Sequence, residues 1–458
     1  MTRKRQKIQL ELAFMAEERG EAPRAVSEGT ERVTVRAGAE RPADTERLME
    51  EICRRENLKA ALKRVQSNKG SPGVDGMTVG ELGGYLKEQW PAIREQLLSG
   101  TYRPQPVRRV EIPKPGGGMR KLGIPTVLDR FIQQAVMRVL QGQWDPAFSE
   151  HSYGFRPGRS AHQAVAQAQT YIAEGRRWVV DIDLEKFFDR VNHDLLMGRV
   201  AKRIADKRVL RLIRAYLNAG IMEDGLVSPS VMGTPQGGPL SPLLSNVLLD
   251  DLDRELERRG LCFVRYADDC NIYVRSVRAG QRVMDSVTRW LSVRLKLQVN
   301  PAKSAVARAG ERKFLGFGFT SEAQPRRRIA PEALERVRQR VRAITRRTRG
   351  VSLESMAAEL ARYLSGWRGY FGFCQTPSVL KDLDHWIRRR LRCVAWKQWK
   401  RGRTRFAELC KRGVHRDLAQ QTAGSAHGPW RLARSPALHL ALPNAYFTAL
   451  HLTSLAVP

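Results

Sequence analysis

The sequence predicts an α/β segment followed by an all-helical, strongly basic region. Three observations carry this expectation. Strand and helix signals alternate from about residue 105 to 320. Two apolar strands within that stretch, Cys262 to Tyr266 and Cys270 to Val274, meet across Asp268-Asp269. From about residue 330 onward, Leu334, Val337, Val341 and Ile344 recur at helical spacing with arginines on the remaining faces.

Taken in order, residues 1–45 are rich in Arg, Glu and Ala with little hydrophobic periodicity. They read as a mobile basic leader with one short helix near Ile8 to Phe14. Residues 46–104 read as a helical extension, broken at Gly70-Ser71-Pro72-Gly73-Val74-Asp75-Gly76, which holds too many turn formers to stay helical. Residues 105–322 carry the strands. Val107 to Pro113 and Arg120 to Ile124 flank Lys114-Pro115-Gly116-Gly117-Gly118 and predict a hairpin. Trp178 to Asp183 predicts a strand running into a helix. Gln236 and Gly237 fall in a loop too rich in Gly and Pro for regular structure, where backbone can approach a base or sugar closely, or which simply turns into a helix. Ser241-Pro242 then predicts a helix N-cap and first turn. Residues 323–410 form the helical region and 411–458 a helical tail.

At 458 residues the chain leans toward two or three domains, and 42% hydrophobic residues can fill a large core. The formal net charge is +33 and the pI about 10.7. Such a surplus repels itself in the folded state and calls for an anionic partner, with nucleic acid ahead of a membrane surface. The longest apolar run, around Leu243 to Leu249, is far too short to span a bilayer, and Met1-Thr2-Arg3-Lys4-Arg5 lacks the apolar run of a signal peptide. A soluble, cytoplasmic protein without membrane contact is expected. Cys53, Cys262, Cys270, Cys374, Cys393 and Cys410 form no C-x-x-C pair, which argues against a zinc site and fits a reducing compartment.

The hairpin at Asp268-Asp269 carries the chemistry. Adjacent carboxylates repel each other, a cation removes that cost, and hard oxygen ligands suit Mg²⁺. An isolated Asp-Asp would read as a polar turn. Here the flanks are apolar, the surroundings basic, and a second acidic strand ends at Asp183. If the strands are sheet neighbours, Asp183 comes to rest beside Asp268, and the cluster can hold two Mg²⁺ for in-line displacement at phosphorus. Asp181 points to the same strand face by alternation.

Several blocks resemble, in order, those of group II intron-encoded reverse transcriptases, also called maturases. Tyr266-Ala267-Asp268-Asp269 is similar to the polymerase box and Asp183-Leu184-Glu185-Lys186-Phe187-Phe188-Asp189 to the first acidic block. Gly233-Thr234-Pro235-Gln236-Gly237-Gly238-Pro239-Leu240-Ser241-Pro242 resembles the Gln-Gly block, and Lys313-Phe314-Leu315-Gly316-Phe317 the primer grip. Tyr153 to Ser160 and Gly73 to Gly76 match further blocks, so the resemblance covers about residues 50 to 440. It implies a right-hand polymerase, with α/β fingers and an antiparallel palm sheet at 105–322, a helical thumb and maturase region at 323–410, and a DNA-binding-like tail at 411–458.

The resemblance also implies roles. Asp183, Asp268 and Asp269 are the metal carboxylates, for two Mg²⁺ with Mn²⁺ as a substitute, and Asp268 is the more direct ligand of its pair. Asp183 is preferred over Asp181 because Phe188 then falls where the family places an aromatic against the ribose 2′-hydroxyl; Phe187 reads as core. Lys114 and Arg120 resemble residues gripping the incoming triphosphate, or are two solvated charges on a hairpin. Gln236 and Gly237 line the nucleotide site. Lys303 resembles a lysine near the leaving pyrophosphate, or is a surface lysine. Phe314, Leu315 and Gly316 are the primer grip.

The stretch 326–403 holds about twenty Lys and Arg and few acids, an electrostatic footprint for a phosphate backbone. Arg388-Arg389-Arg390 is expected to contact RNA, since adjacent cations are rarely buried, and Arg368 joins it. Tyr363, Trp367, Tyr370, Phe371 and Phe373 either stack on unpaired bases or, the larger expectation, pack the bundle interior, as do Trp386, Trp396 and Trp399. The expected partners are intron RNA as template, a DNA primer or target, and dNTPs. The longest members of the family add an endonuclease with paired cysteines and histidines. The residues after about 440 are too few for it, so priming from a nascent strand or an exposed end is expected. Two other readings share the same palm: a splicing cofactor whose polymerase activity is dispensable, and a reverse transcriptase domesticated for repair or defence.

Overall fold

The computed structural model describes residues 45–113, 119–223, 226–228, 233, 237–452 and 454–456. The helix expected near Ile8 to Phe14, the turn Lys114 to Gly118 and Gln236 lie outside the described residues. Two compact units divide the chain at Ala307/Arg308, with Ile172–Glu174 grouped with the second.

The first unit is α/β. Its strands are β1 (Val107–Pro113), β2 (Met119–Ile124), β3 (Trp178–Ile182), β4 (Ile221–Glu223), β5 (Leu226–Ser228), β6 (Cys262–Tyr266), β7 (Asp269–Val274) and β8 (Ala305–Arg308). β1 and β2 form the expected antiparallel hairpin, in register from Arg108↔Ile124 to Pro113↔Met119. With β4 and β5 they make a sheet of order β2-β1-β4-β5. The palm sheet has the order β6-β7-β3-β8, and β7 runs antiparallel to both β6 and β3. Its strands are rich in β-branched and aromatic residues, which fit a pleated surface packed on both sides. Val180, Ile182, Phe263, Cys270, Ile272 and Val274 lie on one face and join the main core. Alternation turns Asp181 and Asn271 to the other face.

Helix Val277–Trp290 covers the core face. A Cβ on its Gly280 would meet Val306, Val274 and Val180 side chains, so glycine lets the helix axis come close to the sheet. Helix Ser241–Arg258 buries Leu244, Val247, Leu248, Leu252 and Leu256. Ser241 is its first residue rather than its cap. The cap is Leu240, because Ser241 N–H bonds Gly238 O at 3.3 Å and draws the chain into the helix one residue early.

The extension breaks where expected. Helix Arg55–Asn68 ends at left-handed Lys69, and helix Leu82–Ser99 follows the Gly70–Gly76 turn. A shorter helix, Leu48–Ile52, is tied to helix Lys207–Asn218 by Asp206. The Asp206 carboxylate caps that helix through Arg208 N–H at 2.9 Å and accepts Met49 N–H at 3.0 Å. Arg208 bonds Asp206 and, bidentately at 2.8 and 2.7 Å, Glu50.

The second unit has the antiparallel pair β9 (Phe317–Phe319) and β10 (Arg327–Ile329), then the helices Pro331–Ile344, Leu353–Phe371 and Pro377–Gln398 and several shorter ones. Its core contains Val337, Leu360, Leu391 and Trp396 together with Leu438, Leu442 and Phe447 from the tail. The tail is anchored where Arg392 donates to Leu442 O at 3.0 Å and Leu455 N–H donates to Asp384 at 2.9 Å. Tyr363, Trp367, Tyr370, Phe371 and Phe373 pack against one another or against Phe317 and arginines, as the larger expectation had it. Trp396 and Trp399 are buried, and Trp386 lies beneath Arg342 and Arg390.

Burial alone would push the Asp206 carboxyl up, but hydrogen bonds from Arg208 and from the Met49 and Arg208 amides, with the Arg208 charge, hold it below its ordinary value. A carboxyl depressed on folding stabilises the chain above its unfolded pKa of about 3.9 and loses that contribution as pH falls through the lower folded value. Asn can keep the cap but removes the charge that Arg208 bonds, so Asp206→Asn should destabilise the chain by roughly 1 kcal/mol at pH 7, about the difference between a charge-assisted and a neutral hydrogen bond. Denaturant titrations should show the gap to wild type closing below about pH 4; a gap constant down to pH 2.5 would contradict this.

Candidate active site

The catalytic hairpin is a two-residue turn. Tyr266 pairs with Asp269, so Ala267 and Asp268 form the turn and Asp269 is the first residue of β7. This shifts by one residue the expectation that the strands join across Asp268-Asp269. Ala267 has φ = 57°, as a tight hairpin turn demands. Ile182 pairs with Cys270, and continuing that register by one residue brings Asp183 beside Asp269.

The loop Asn300–Ser304 clamps Asp183. Asn300 N–H donates to Asp183 O at 2.8 Å, Ser304 Oγ accepts Asp183 N–H at 2.9 Å, and Lys303 Nζ stands 3.4 Å from Asp183 Oδ2. Asp269 is pushed up to about 7, by loss of solvation and then by Asp268, Asp181 and Asp183, while Lys303 pulls the other way. Its accessible surface is open to solvent, so carboxylate crowding carries more of this shift than burial alone suggests. Among the described residues no three carboxylate, imidazole or thiol groups are drawn to ligand distance around one point. Asp268, Asp181 and Asp183 nevertheless all act on Asp269, and carboxylates are the hard-oxygen donors that suit a divalent cation.

Behind the hairpin lies Arg265, a fully buried charge. It donates to Asp253 Oδ1 and Oδ2 at 2.7 and 2.5 Å, to Asn246 Oδ1 at 2.9 Å, to Ser152 Oγ at 2.8 Å and to Ala267 O at 2.8 Å. All five of its N–H donors are thereby used. Burial works against the guanidinium, but Asp253 more than offsets it and holds it above its ordinary value. The segment before Gly154 runs alongside: Arg265 N–H bonds His151 O and Tyr153 N–H bonds Arg265 O, both at 2.9 Å. A Cβ on Gly154 would lie 2.3 Å from Ala267 N, so this block abuts the catalytic turn. Arg156 fixes the block through bonds to Asp145, Ser149 O and Ser152 O. Neither arginine was singled out from sequence, although a charge at the core-facing register of the apolar strand Cys262–Tyr266 was a readable signal.

Two family models match the chain: "Reverse transcriptase (RNA-dependent DNA polymerase)" over residues 112–319 and "Group II intron, maturase-specific domain" over 334–413. Protein YkfC of Escherichia coli (strain K12) is 33% identical over 343 residues, covering 66% of this chain and 89% of that protein. Group II intron-encoded protein LtrA of Lactococcus lactis subsp. cremoris is 39% identical over 209 residues, 45% of this chain and 35% of LtrA. The chain belongs to the group II intron-encoded reverse transcriptases. It is by family an RNA-directed DNA polymerase that depends on a divalent metal and binds RNA and DNA. The match spans about a third of the length of LtrA. Among the described residues no helix is long and apolar enough to cross a membrane.

Other expected site residues of the reverse transcriptase fall as follows. Phe187 is buried in the core, and Phe188 is half-buried, edge-on to it at 5.2 Å. Gly237 has φ = 127°, and a Cβ there would meet Gly123 O at 2.8 Å, so its loop presses on the end of β2. Arg120 lies in β2. Lys114 and Gln236 are outside the described residues. In the second unit, Leu315 and Gly316 (φ 51° and 79°) form a turn closed by reciprocal Phe314–Phe317 backbone bonds at 2.8 and 3.0 Å. Tyr370 OH donates to Leu315 O at 2.8 Å, and Gly316 leaves room for the Phe371 ring.

The premise that Arg388, Arg389 and Arg390 are all unburied is corrected at Arg388, while Arg389 and Arg390 are half-buried. Arg388 is buried with Asp384 3.5 Å away; Arg389 lies over the Trp430 ring and donates to Trp430 O at 2.9 Å; Arg390 donates to Thr345 Oγ1 at 2.8 Å. A helix packed on several sides turns three consecutive residues toward different neighbours, and guanidinium planes find aromatic faces there. Arg368 is half-buried.

Removing one partner of a buried, fully bonded ion pair costs about 3–5 kcal/mol. Arg265→Met and Asp253→Leu should each lower unfolding free energy by that amount in denaturant titrations. The double variant should recover much of the loss. Losses below about 1 kcal/mol in both single variants would show that the pair does not hold the hairpin.

Proposed function

We propose that this reverse transcriptase copies intron RNA into DNA from dNTPs, with Asp183, Asp268 and Asp269 holding two Mg²⁺ or, in their place, Mn²⁺, and that it also binds folded intron RNA to assist splicing and mobility. The observation that carries the reading is the carboxylate crowding at Asp269, on the sheet face opposite the core and with Lys303 against Asp183. Bound divalent ions would supply positive charge at the attacking 3′-oxygen and at the leaving phosphate oxygens.

The chain's own groups do the rest. The Asn300–Ser304 clamp fixes Asp183 through its backbone, so the carboxylate is aimed before substrate arrives. Lys303 holds a proton beside Asp183, where the pyrophosphate leaves. Phe188 presents a ring that collides with a ribose 2′-hydroxyl and passes a deoxyribose. Lys114 and Arg120 grip the triphosphate, and Gln236 and Gly237 bring backbone against the nucleotide. Phe314, Leu315 and Gly316 hold the primer end, and Arg368 meets RNA phosphate.

Primer extension on an RNA template tests the central role. Asp268→Ala should reduce kcat/KM by more than about 100-fold, since weakening even a supporting contact of a metal ligand costs 10–100-fold. Its Kd for intron RNA should stay within about twofold of wild type. Equal cDNA yield from both proteins would sink the assignment. Phe188→Val should narrow the dNTP-over-rNTP preference in kcat/KM by at least about 10-fold, the scale of steric discrimination in a pocket. An unchanged ratio would move the gate to another residue.

A further inference from the structure

Helix Val277–Trp290 carries three arginines, Arg278, Arg282 and Arg289, on one exposed face that holds the single acid Asp285, and among the described residues none of the three forms an ion pair. From Arg275 to Lys296 the sequence places six cations (Arg275, Arg278, Arg282, Arg289, Arg294 and Lys296) against the one acid Asp285. All six are exposed, and among the described residues none has an ion-pair partner. Asp285 is engaged by Gln281 Nε2 at 3.0 Å. At about 100° per residue, Arg278, Arg282 and Arg289 fall within roughly 40° of arc. The opposite side of the helix holds Gly280, Val287 and Leu291, buried against the sheet.

A solvated surface helix in this unit looks different. On helix Ser241–Arg258, Arg254 pairs with Asp250 and Glu257, and Arg258 and Arg259 pair with Glu255 at 2.8 and 2.7 Å. Helix Lys207–Asn218 is intermediate: Arg208 pairs with Glu50 and Asp206 and Arg214 with Asp194, while exposed Lys207 and Arg211 form no ion pair among the described residues. The arginines of Val277–Trp290 are spaced about 6 and 10 Å along the axis, near or within a Debye length at physiological salt, so they repel one another until an anion binds.

The stripe is also separated from the catalytic centre. Its helix packs on the Val180–Val274 face of the palm sheet, whereas Asp181 and Asn271 point from the other face. Substrate held at the carboxylates is therefore on the opposite side of the sheet.

We propose that this stripe is a second nucleic-acid surface, which binds the phosphate backbone of folded RNA on the back of the palm while the carboxylate face works on the template. Three guanidinium groups on one exposed helix face, in excess over the one acid Asp285 among them, can meet successive backbone phosphates, and phosphate contacts position RNA without reading its sequence. The inference rests on the reading of the chain as an RNA-binding polymerase and extends it to a site that polymerisation itself does not use.

The test uses the full-length chain with Arg278→Gln, Arg282→Gln and Arg289→Gln combined, and Lys replacements at the same positions as the charge-preserving control. Two probes are used, a folded full-length group II intron transcript and a short template–primer duplex. The Gln variant should bind the transcript at least about 10-fold more weakly near physiological salt, with the salt slope reduced by about 2–3, since each duplex phosphate contact contributes about 0.9. The Lys variant should keep the slope, and extension of the short duplex should be unchanged in both. An unchanged slope with intact extension overturns the proposal, as does binding by the stripe to anionic vesicles with no change toward RNA. Extension and transcript binding lost together would put the stripe in the substrate path and overturn it too. If the triple variant does not melt cooperatively, the single Arg282→Gln variant, with an expected slope change of about 1, decides. Absence of extension in wild-type protein would sink the polymerase reading and leave the stripe's binding to be read from the transcript alone.

Discussion

A guanidinium without solvent contact governs the geometry of this molecule's first unit. Arg265 can stay charged in the core only while all five of its donors are met, and those acceptors come from three places: helix Ser241–Arg258, which carries both Asn246 and Asp253, the segment before Gly154, and the catalytic turn itself. The bond to Ala267 O reaches the residue next to Asp268, at a left-handed φ that alanine does not favour. A hydrogen bond to a buried cation is among the stronger ones, and it holds that conformation. Gly154 fits because its missing Cβ is where the Ala267 amide lies. The hairpin is therefore rigid from behind, and the carboxylates in front are free to be set by charge.

Charge is unevenly placed across this strongly basic chain. At the palm, loss of solvation and then the neighbouring Asp268, Asp181 and Asp183 push the Asp269 carboxyl up to about 7. Elsewhere the arginines follow two patterns. Many are spent inside the fold: Arg156 and Arg265 in the first unit, and Arg388, Arg389, Arg390 and Arg392 in the second, where they meet carbonyls, carboxylates and aromatic faces. Others, above all those of helix Val277–Trp290, face solvent and form no ion pair among the described residues. Counting cations along a sequence cannot separate these patterns, because both use the same residue and differ only in what packs around it.

That distinction marks where sequence reading succeeded. The strands, the β1–β2 hairpin and the break at Gly70–Gly76 followed from periodicity and turn chemistry, which are local, whereas Asp183 was expected beside Asp268 and the strand register sets it beside Asp269. Phe187 in the core and Phe188 beside it followed from their place in the acidic block. The premise that the adjacent cations Arg388, Arg389 and Arg390 all stay out of the core failed at Arg388, because a helix rotates neighbouring side chains onto different partners. The Asn300–Ser304 clamp was missed because it joins Asp183 to Ser304 across more than a hundred positions, and the Arg265 network because its partners on the strand, the turn, helix Ser241–Arg258 and distant Ser152 meet only once these elements pack. Only the tertiary structure brings them together.

Anomalous diffraction from crystals of the protein with template, a dideoxy-terminated primer, a dNTP and Mn²⁺ addresses the central claim most directly. Two manganese peaks bounded by Asp183, Asp268 and Asp269 are predicted, with the Arg265 bond to Ala267 O retained. Manganese held elsewhere, or a hairpin that has lost that bond while still binding metal, would contradict it.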